Sequence, residues 1–140
     1  MRSPQDLTVA FRAAGLKVTP QRQLLFRLLY DNSTHPTADA LYSVASGEMP
    51  GISLRTVYQT LNDLRDMGEI QSIEVGTGST RFDPNVSDHH HAVCDQCGAV
   101  HDVYVSRTPD PKGLEGFSVE DAHIVYRGLC GACSRATKRG

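Results

Sequence analysis

The chain contains no tryptophan, and none of its apolar runs approaches the roughly 18 residues that a membrane-spanning helix needs. The N-terminal segment MRSPQDLTVAF also lacks the apolar stretch of a signal peptide. We therefore expect a cytoplasmic protein, without a membrane span or secretion. Nor does one sign of charge dominate, because 14 Lys and Arg face 16 Asp and Glu, for a net charge of -2. This balance excludes a uniformly basic nucleic-acid coat protein, but it is compatible with one local basic face.

Histidine and cysteine are distributed unevenly along the 140 residues. All four cysteines lie in the last 47 residues, and five of the six histidines follow residue 88. Residues 1–30 carry five basic side chains and one acidic side chain, a local charge of +4. The apolar content of 39% supports a modest core. These asymmetries predict two modules, over residues 1–83 and 84–140.

The first module is predicted to be mainly helical. Apolar residues at helical spacing predict a first helix from Pro4 to Ala14. Three more predicted helices each follow a hydroxyl side chain that suits an N-cap: Thr19, Thr37 and Ser53. After Gly68 the apolar period changes, and Gly76-Thr77-Gly78 predicts the turn of a hairpin. Helices followed by a two-stranded hairpin indicate a winged helix-turn-helix.

The second module is predicted to contain short strands, over residues 92–93, 99–105 and 123–127. Proline and glycine are frequent in residues 107–116, which predicts a loop. The predicted fold class is therefore α+β, with an N-terminal winged helix-turn-helix followed by a small α/β domain.

The cysteines form two C-x-x-C pairs, Cys94 with Cys97 and Cys130 with Cys133, separated by 32 residues. Two such turns can present four thiolates to one tetrahedral zinc ion, which would leave no open coordination position. Disulfides are the alternative, but they need an oxidising compartment. A redox-active C-x-x-C is a further alternative, although it would need only one copy.

A run of histidines, Asp88-His89-His90-His91, precedes the first cysteine pair. In an extended segment His89 and His91 share one face and His90 points to the other. Carboxylates such as Asp83 and Asp102 could complete a site of nitrogen and oxygen donors, which suits Fe(II), Mn(II) or Zn(II) better than Cu(I). The alternative is a polar surface strand that binds nothing. From the residues alone, His35 is a solvent-facing loop residue.

The fourth predicted helix has the side chains expected of a recognition helix in the DNA major groove. Basic residues on the elements before this helix could neutralise DNA phosphates. The candidate DNA-binding residues are Lys17, Arg22, Arg55, Thr56, Tyr58 and Gln59. The alternative is a winged helix that binds protein. Because the net charge is near zero, DNA binding would depend on one localised basic face. Dimerisation would supply two copies of that face.

Several separated motifs in a fixed order resemble the ferric uptake regulator family of metal-dependent bacterial repressors, over nearly the whole chain. The motifs are Thr19-Pro20-Gln21-Arg22, His35-Pro36-Thr37-Ala38-Asp39, Thr56-Val57-Tyr58, the segment 88–98, and the final Cys130 and Cys133. The resemblance implies an N-terminal winged helix that binds DNA and a C-terminal α/β dimerisation domain that holds structural Zn(II) on the four cysteines.

The resemblance also implies a second, regulatory metal held by residues of both domains. The matching positions are His35, Asp83, His89, His91 and Asp102. Asp83 stands where iron-uptake members generally carry Glu, which is similar to the peroxide-responsive branch. In that branch bound Fe(II) reacts with hydrogen peroxide and oxidises a ligand histidine, here His35 or His89. Mn(II) in the same site implies a repressor that peroxide does not affect, and Zn(II) can occupy it in vitro.

Two departures from the family pattern carry further expectations. Residues 107–116 are shorter than the helix that most members place in the dimerisation domain, which implies a reduced or missing helix. The segment 117–130 is similar to actinobacterial oxidative-stress regulators of the family, and Ala122 replaces a histidine of an additional metal site. That site is expected to be missing or remodelled. His90, His101 and His123 receive no role.

The leading hypothesis is a homodimeric, metal-dependent repressor, not an enzyme, that senses hydrogen peroxide through Fe(II) or Mn(II). It would bind AT-rich inverted repeats in double-stranded DNA and control oxidative-stress genes. The alternative within the family is an iron- or zinc-uptake repressor without peroxide chemistry. From other classes, a metalloenzyme with a facial triad and a zinc-stabilised protein-interaction module are the competing hypotheses.

Overall fold

The computed structural model describes residues 1–107 and 109–139, and the chain divides into two compact units, Met1–Val86 and the residues from Ser87 onward. The first unit carries four helices and a hairpin, and the second carries a three-stranded sheet and a helix. The predicted α+β class is confirmed. Along the described ranges, every helix is too short or too polar to cross a membrane.

Side-chain caps start all four helices of the first unit. The helices are α1 (Pro4–Ala13), α2 (Pro20–Leu29), α3 (Ala38–Glu48) and α4 (Leu54–Asp66). The hydroxyls of Thr19, Thr37 and Ser53 each accept the backbone N–H three residues later, which confirms the predicted caps. Ser3 caps α1 in the same way, a cap that the sequence pattern did not single out.

The apolar faces of these helices form the core of the first unit. Phe11 of α1 and Phe26 of α2 meet edge to face, with ring centroids 4.8 Å apart. Val57, Leu61 and Leu64 follow each other at helical spacing on α4 and are fully buried. Burial of each such side chain contributes about 1.5–3 kcal/mol, so packing fixes which face of α4 is left exposed.

The predicted hairpin consists of β1 (Gln71–Ile73) and β2 (Arg81–Asp83), which pair antiparallel. The turn between them contains Gly76 at φ 80° and Gly78 at φ 91°, backbone angles that favour glycine. The residues before α3 extend this small sheet, because the Phe82 N–H donates to the Pro36 carbonyl at 2.9 Å. Thr37 also forms an isolated bridge with Arg81.

The sheet of the second unit has the strand order β4-β3-β5. Its strands are β3 (His90–Cys94), β4 (Val100–Val103) and β5 (Val125–Gly128). Strand β4 pairs antiparallel to β3, and β5 pairs parallel to it. All three predicted strands exist, but their predicted bounds are wrong. Strand β3 also contains two polar histidines, which a search for apolar residues leaves out.

Helix α5 (Gly131–Arg139) was not predicted. Its residues are largely polar, so no apolar stripe marks it, and it begins at the second cysteine pair, where the Ser134 N–H donates to the Cys130 carbonyl at 2.8 Å. Apart from Thr108, which lies outside the described residues, residues 104–124 contain no helix and no strand. This agrees with the predicted loop over 107–116 and with the reduced helix in this part of the chain.

Candidate metal centres

The structure brings the four cysteines together in the second unit. Their sulfur atoms all lie within 4.8 Å of one another, and the Cys97 and Cys130 sulfurs are 3.8 Å apart. Thiolates bound at ~2.3 Å to a tetrahedral zinc ion are separated by about 3.8 Å, so the spacing fits such an ion. A disulfide needs a sulfur–sulfur distance of about 2 Å, and all four cysteines are free. The disulfide alternative is therefore wrong for this structure.

Strand pairing explains why two distant cysteine pairs meet. Parallel pairing of β3 and β5 sets Cys94 beside Gly128, two residues before Cys130. Each pair closes a tight turn, in which the Cys97 N–H donates to the Cys94 sulfur at 3.4 Å and the Cys133 N–H donates to the Cys130 sulfur at 3.5 Å. The turns thus aim all four sulfurs at one point.

The thiols of this cluster have divergent acidities. Backbone N–H groups of Cys97 and Cys130 lower the pKa of Cys94 to about 6. Hydrogen bonding to the Cys130 thiol raises the pKa of Cys133 to about 12. Four adjacent thiolates repel one another, so the cluster without an ion ionises only in part. A bound divalent cation would offset this repulsion between thiolates. Four sulfur donors fit zinc.

In the first unit, a histidine and an aspartate form a buried pair. The His35 Nε2 lies 3.3 Å from the Asp83 Oδ2, and the two side chains are 1% and 2% exposed. The Asn85 N–H donates to the other carboxylate oxygen of Asp83 at 2.9 Å. The guanidinium of Arg81 donates to the His35 carbonyl at 3.2 Å. His35 is thus a buried residue held by the hairpin, contrary to the solvent-facing loop residue that the sequence alone suggested.

In the second unit, two histidines face one carboxylate. The Asp102 Oδ1 lies 3.1 Å from the His89 Nε2 and 3.5 Å from the His91 Nε2. Antiparallel pairing places His91 opposite Asp102, and the rings of His89 and His91 have centroids 4.6 Å apart. His89 and His91 are buried and His90 between them is half-buried, which confirms the predicted alternation.

The second ring nitrogen of each of these histidines is already engaged. The His89 Nδ1 lies 2.6 Å from the Ser87 carbonyl, which can only accept, so the Nδ1 carries the proton. The His91 Nδ1 lies 2.7 Å from the His123 Nε2. Burial, and then the charge of His90, lower the pKa of His123, so its neutral ring can accept this bond. Because both Nδ1 atoms are engaged, the Nε2 atoms on the Asp102 side are the nitrogens that a metal would use.

His123 is the contact that sequence analysis missed, because a lone histidine in an irregular segment carries no pattern. The other two unassigned histidines lie away from the carboxylate. The His90 Nδ1 accepts the Ile124 N–H at 2.9 Å, which ties the segment before β5 to β3. His101 is exposed on β4.

The candidate DNA-binding residues lie in the first unit and differ in their environment. Arg55, Tyr58 and Gln59 are exposed on α4, and Lys17 is exposed between α1 and α2. Thr56 is half-buried, with its hydroxyl 3.0 Å from that of Ser53.

Arg22 differs from this set. Its side chain is only 15% exposed, and its Nη2 lies 2.9 Å from the Asp63 Oδ2 on α4. Its guanidinium carbon lies 5.4 Å from the centre of the Phe11 ring. Arg22 is therefore engaged within the helical core.

The chain is similar to known proteins over most of its length. The family model described as "Ferric uptake regulator family" matches residues 13–126. The peroxide-responsive repressor PerR of Staphylococcus aureus is 34% identical over 133 residues, covering 92% of this chain and 90% of the relative. Members of the matched family are transcriptional regulators.

Solved structures of the same fold include the peroxide stress regulator of Campylobacter jejuni, 27% identical, with a TM-score of 0.61 and coverage of 95% of this chain and 100% of that one. The ferric uptake regulator of Helicobacter pylori, 20% identical, has a TM-score of 0.71 and covers 93% and 90% of the two chains. On the strength of the family match, the chain belongs to the ferric uptake regulator family.

Proposed function

We propose that the protein is a cytoplasmic, homodimeric, metal-dependent repressor that senses hydrogen peroxide through bound Fe(II) and controls oxidative-stress genes. The observation that carries this proposal is the donor chemistry: histidine Nε2 atoms beside carboxylates, without a thiolate, and with Asp83 as the acid at the end of the hairpin. The similarity to a peroxide-responsive repressor supports it.

The regulatory ion is proposed to be bound by His35 and Asp83 together with His89, His91 and Asp102. The first unit offers two donors and the second offers three, so five protein ligands require both sets. Within each set the donors lie 3.1–3.5 Å apart, near the ~3 Å expected of neighbouring ligands at ~2.1 Å from one ion. Five protein ligands leave one octahedral position open. Bound Fe(II) supplies the reaction with hydrogen peroxide that oxidises an adjacent histidine.

The division of the ligands between the units provides the switch. A ligand shifts a conformational equilibrium by the difference between its affinities for the two conformations. An ion held by both sets of donors would bind tightly only to conformations in which the two sets meet. Oxidation of His35 or His89 removes one donor and weakens that preference, which would release DNA. Mn(II) would give a repressor that peroxide does not affect, and Zn(II) can occupy the same donors in vitro.

The four-cysteine cluster is proposed to hold structural Zn(II). Protein sulfurs fill all four tetrahedral positions, so this ion would stabilise the second unit without binding a substrate.

The DNA surface is proposed to lie on α4 and the hairpin turn. The exposed side chains of Arg55, Tyr58 and Gln59 can reach base edges, and half-buried Thr56 lies beside them. Lys17 supplies charge for phosphates. Tyr58 also borders a cleft of about 260 Å³ whose lining includes the hydroxyl residues Thr37, Ser79 and Thr80. The proposed target is an AT-rich inverted repeat in double-stranded DNA, which matches a two-fold symmetric dimer.

A second copy of the chain is the proposed partner of the second unit. This unit exposes large apolar side chains that a monomer would leave in water, among them Tyr104, Phe117 at 71% exposure, Val119 and Tyr126. Strands β4 and β5 form the edges of the sheet, where another chain can pair.

Mass spectrometry after treatment of the Fe(II) form with hydrogen peroxide tests the sensing chemistry. We expect a gain of one oxygen at His35 or His89 together with loss of DNA binding, while exposed His101 stays unmodified. The Mn(II) form serves as the control and should keep both its mass and its DNA affinity. If peroxide releases DNA without oxygen at either histidine, metal exchange or cysteine oxidation causes the release, and the proposed sensing chemistry is wrong.

A further inference from the structure

The backbone of His35 adopts an unfavourable conformation. Its φ is 52°, and within the described ranges only Asp31 shares such a positive value among residues other than glycine. The next residue is Pro36, which disfavours helical angles in the residue before it and favours extended ones. A non-glycine residue in the left-handed region is strained and persists only where its surroundings hold it.

Two hydrogen bonds from β2 hold the segment that contains His35. Arg81 donates from its Nη1 to the His35 carbonyl, and the Phe82 N–H donates to the Pro36 carbonyl. Successive side chains of a strand point to opposite faces, so Arg81 and Asp83 share one face of β2 while Phe82 packs into the core. Strand β2 therefore supplies both Arg81, which contacts the His35 backbone, and Asp83, which faces the His35 ring.

We propose that Arg81 is a positioning residue for the regulatory metal, which holds His35 in its left-handed conformation so that the ring nitrogen faces Asp83. A guanidinium carries donors only, so Arg81 is not itself a ligand. Its bond to a carbonyl is charge-assisted, and such bonds are stronger than those between neutral groups. This inference rests on the proposed assignment of His35 as a metal ligand.

Loss of this bond would let His35 relax towards the extended angles that Pro36 favours. The imidazole would then spend less time beside Asp83, and the metal would have to order it on binding. Replacement of residues that orient metal ligands typically costs 10–100-fold in metal affinity. We expect a loss in this range for Arg81→Leu, which keeps apolar bulk but removes the donors.

The test compares Arg81→Leu with Arg27→Leu, an exposed arginine on α2 that serves as the matched control. Mn(II) is the probe, because the sensing proposal makes it inert to peroxide, and its affinity is measured by competition with a chelator. Hydrogen exchange at the Phe82 amide in the metal-free protein reports directly on the attachment of the 35–37 segment. In the Fe(II) form, peroxide oxidation of His35 is measured relative to that of His89.

We expect Arg81→Leu to exchange the Phe82 amide at least about tenfold faster, to bind Mn(II) 10–100-fold more weakly and to shift oxidation from His35 towards His89. Arg27→Leu should match the unmodified protein in all three. If Arg81→Leu is globally unstable, Arg81→Met, which keeps an unbranched apolar chain without donors, is measured instead, and the same directions are required.

Mn(II) affinity within about twofold of the unmodified protein, in a folded Arg81 variant, would overturn the inference. His35→Ala separates this failure from failure of the proposed function. If His35→Ala also leaves Mn(II) affinity unchanged, the ligand assignment itself is wrong. If only His35→Ala loses affinity, His35 is a ligand and Arg81 does not position it.

Discussion

At the scale of single residues, the hydrogen-bond partner of each histidine decides what its other nitrogen can do. The Ser87 carbonyl fixes the proton of His89 on Nδ1, and the His123 ring contacts the Nδ1 of His91. The Nε2 atoms that face Asp102 are therefore the nitrogens left for an ion. This arrangement lowers the cost of metal binding, because both rings are already oriented towards the carboxylate.

Replacement of His123 by alanine should weaken metal binding through this effect. The variant removes the partner of the His91 Nδ1, and we expect Mn(II) affinity to fall about tenfold or more. His101→Ala is the matched control, since His101 is an exposed histidine on the same sheet. Competition titrations measure both variants. Equal affinities for the two would contradict the orienting role of His123.

At the scale of elements, α4 is held in place by more than its apolar face. Arg22 on α2 pairs with Asp63 on α4, one turn beyond Gln59. Because Asp63 is four residues after Gln59, it lies on the same side of the helix. The pair thus links α2 to the part of α4 that carries the candidate DNA-binding residues.

The salt dependence of DNA binding distinguishes this bracing role from a phosphate contact. Loss of a phosphate contact reduces the slope of log affinity against log salt by about 0.9. We expect Lys17→Gln to show that reduction. Arg22→Gln and Asp63→Asn should each weaken binding with the slope unchanged, because the pair acts on the position of α4.

Filter binding or fluorescence anisotropy at several salt concentrations provides the measurement, with thermal unfolding as a check on folding. The pair is partly buried and its loss should cost about 1 kcal/mol of stability. A reduced slope for Arg22→Gln, or tighter binding by Asp63→Asn, would show that Arg22 contacts phosphate instead.

At the scale of the whole molecule, the two units are stabilised in different ways. The first unit has an extended apolar core built from four helices and the hairpin. In the second, buried apolar side chains are few, with Val93, Cys94 and Val100 on the sheet. Small domains with modest cores commonly depend on a metal, and the zinc proposed for the four-cysteine cluster would supply that stability here.

Replacement of one cysteine should therefore unfold one unit and spare the other. We expect Cys97→Ser to lose the proposed structural zinc and the native fold of the second unit. The free energy of zinc binding, about 10–16 kcal/mol in small zinc domains, is also free energy of folding. Zinc content and hydrogen exchange measure the effect, and amides of α2 and α4 should stay protected. Ser134→Ala is the control, and full zinc content with native exchange in Cys97→Ser would contradict the prediction.

The helical elements and their ends could be predicted from the sequence because their causes are local. Hydroxyl caps at Thr19, Thr37 and Ser53 and the apolar spacing on α4 act within a few residues. Helix α5 was not predictable in this way, because it carries no apolar stripe and starts at a cysteine pair. The strand bounds were not predictable either, because they depend on pairing between strands. Polar His90 belongs to β3 because it pairs with Val103 of β4.

Local sequence patterns predict both kinds of donor set, because spacing pairs Cys94 with Cys97 and alternation puts His89 and His91 on one face. The partners that complete each set follow instead from the three-dimensional fold. Parallel pairing of β3 with β5 brings Cys130 to Cys97, and the hairpin brings Asp83 to His35 across 48 residues. Such contacts depend on strand register and packing between segments far apart in the chain, which local sequence patterns do not encode.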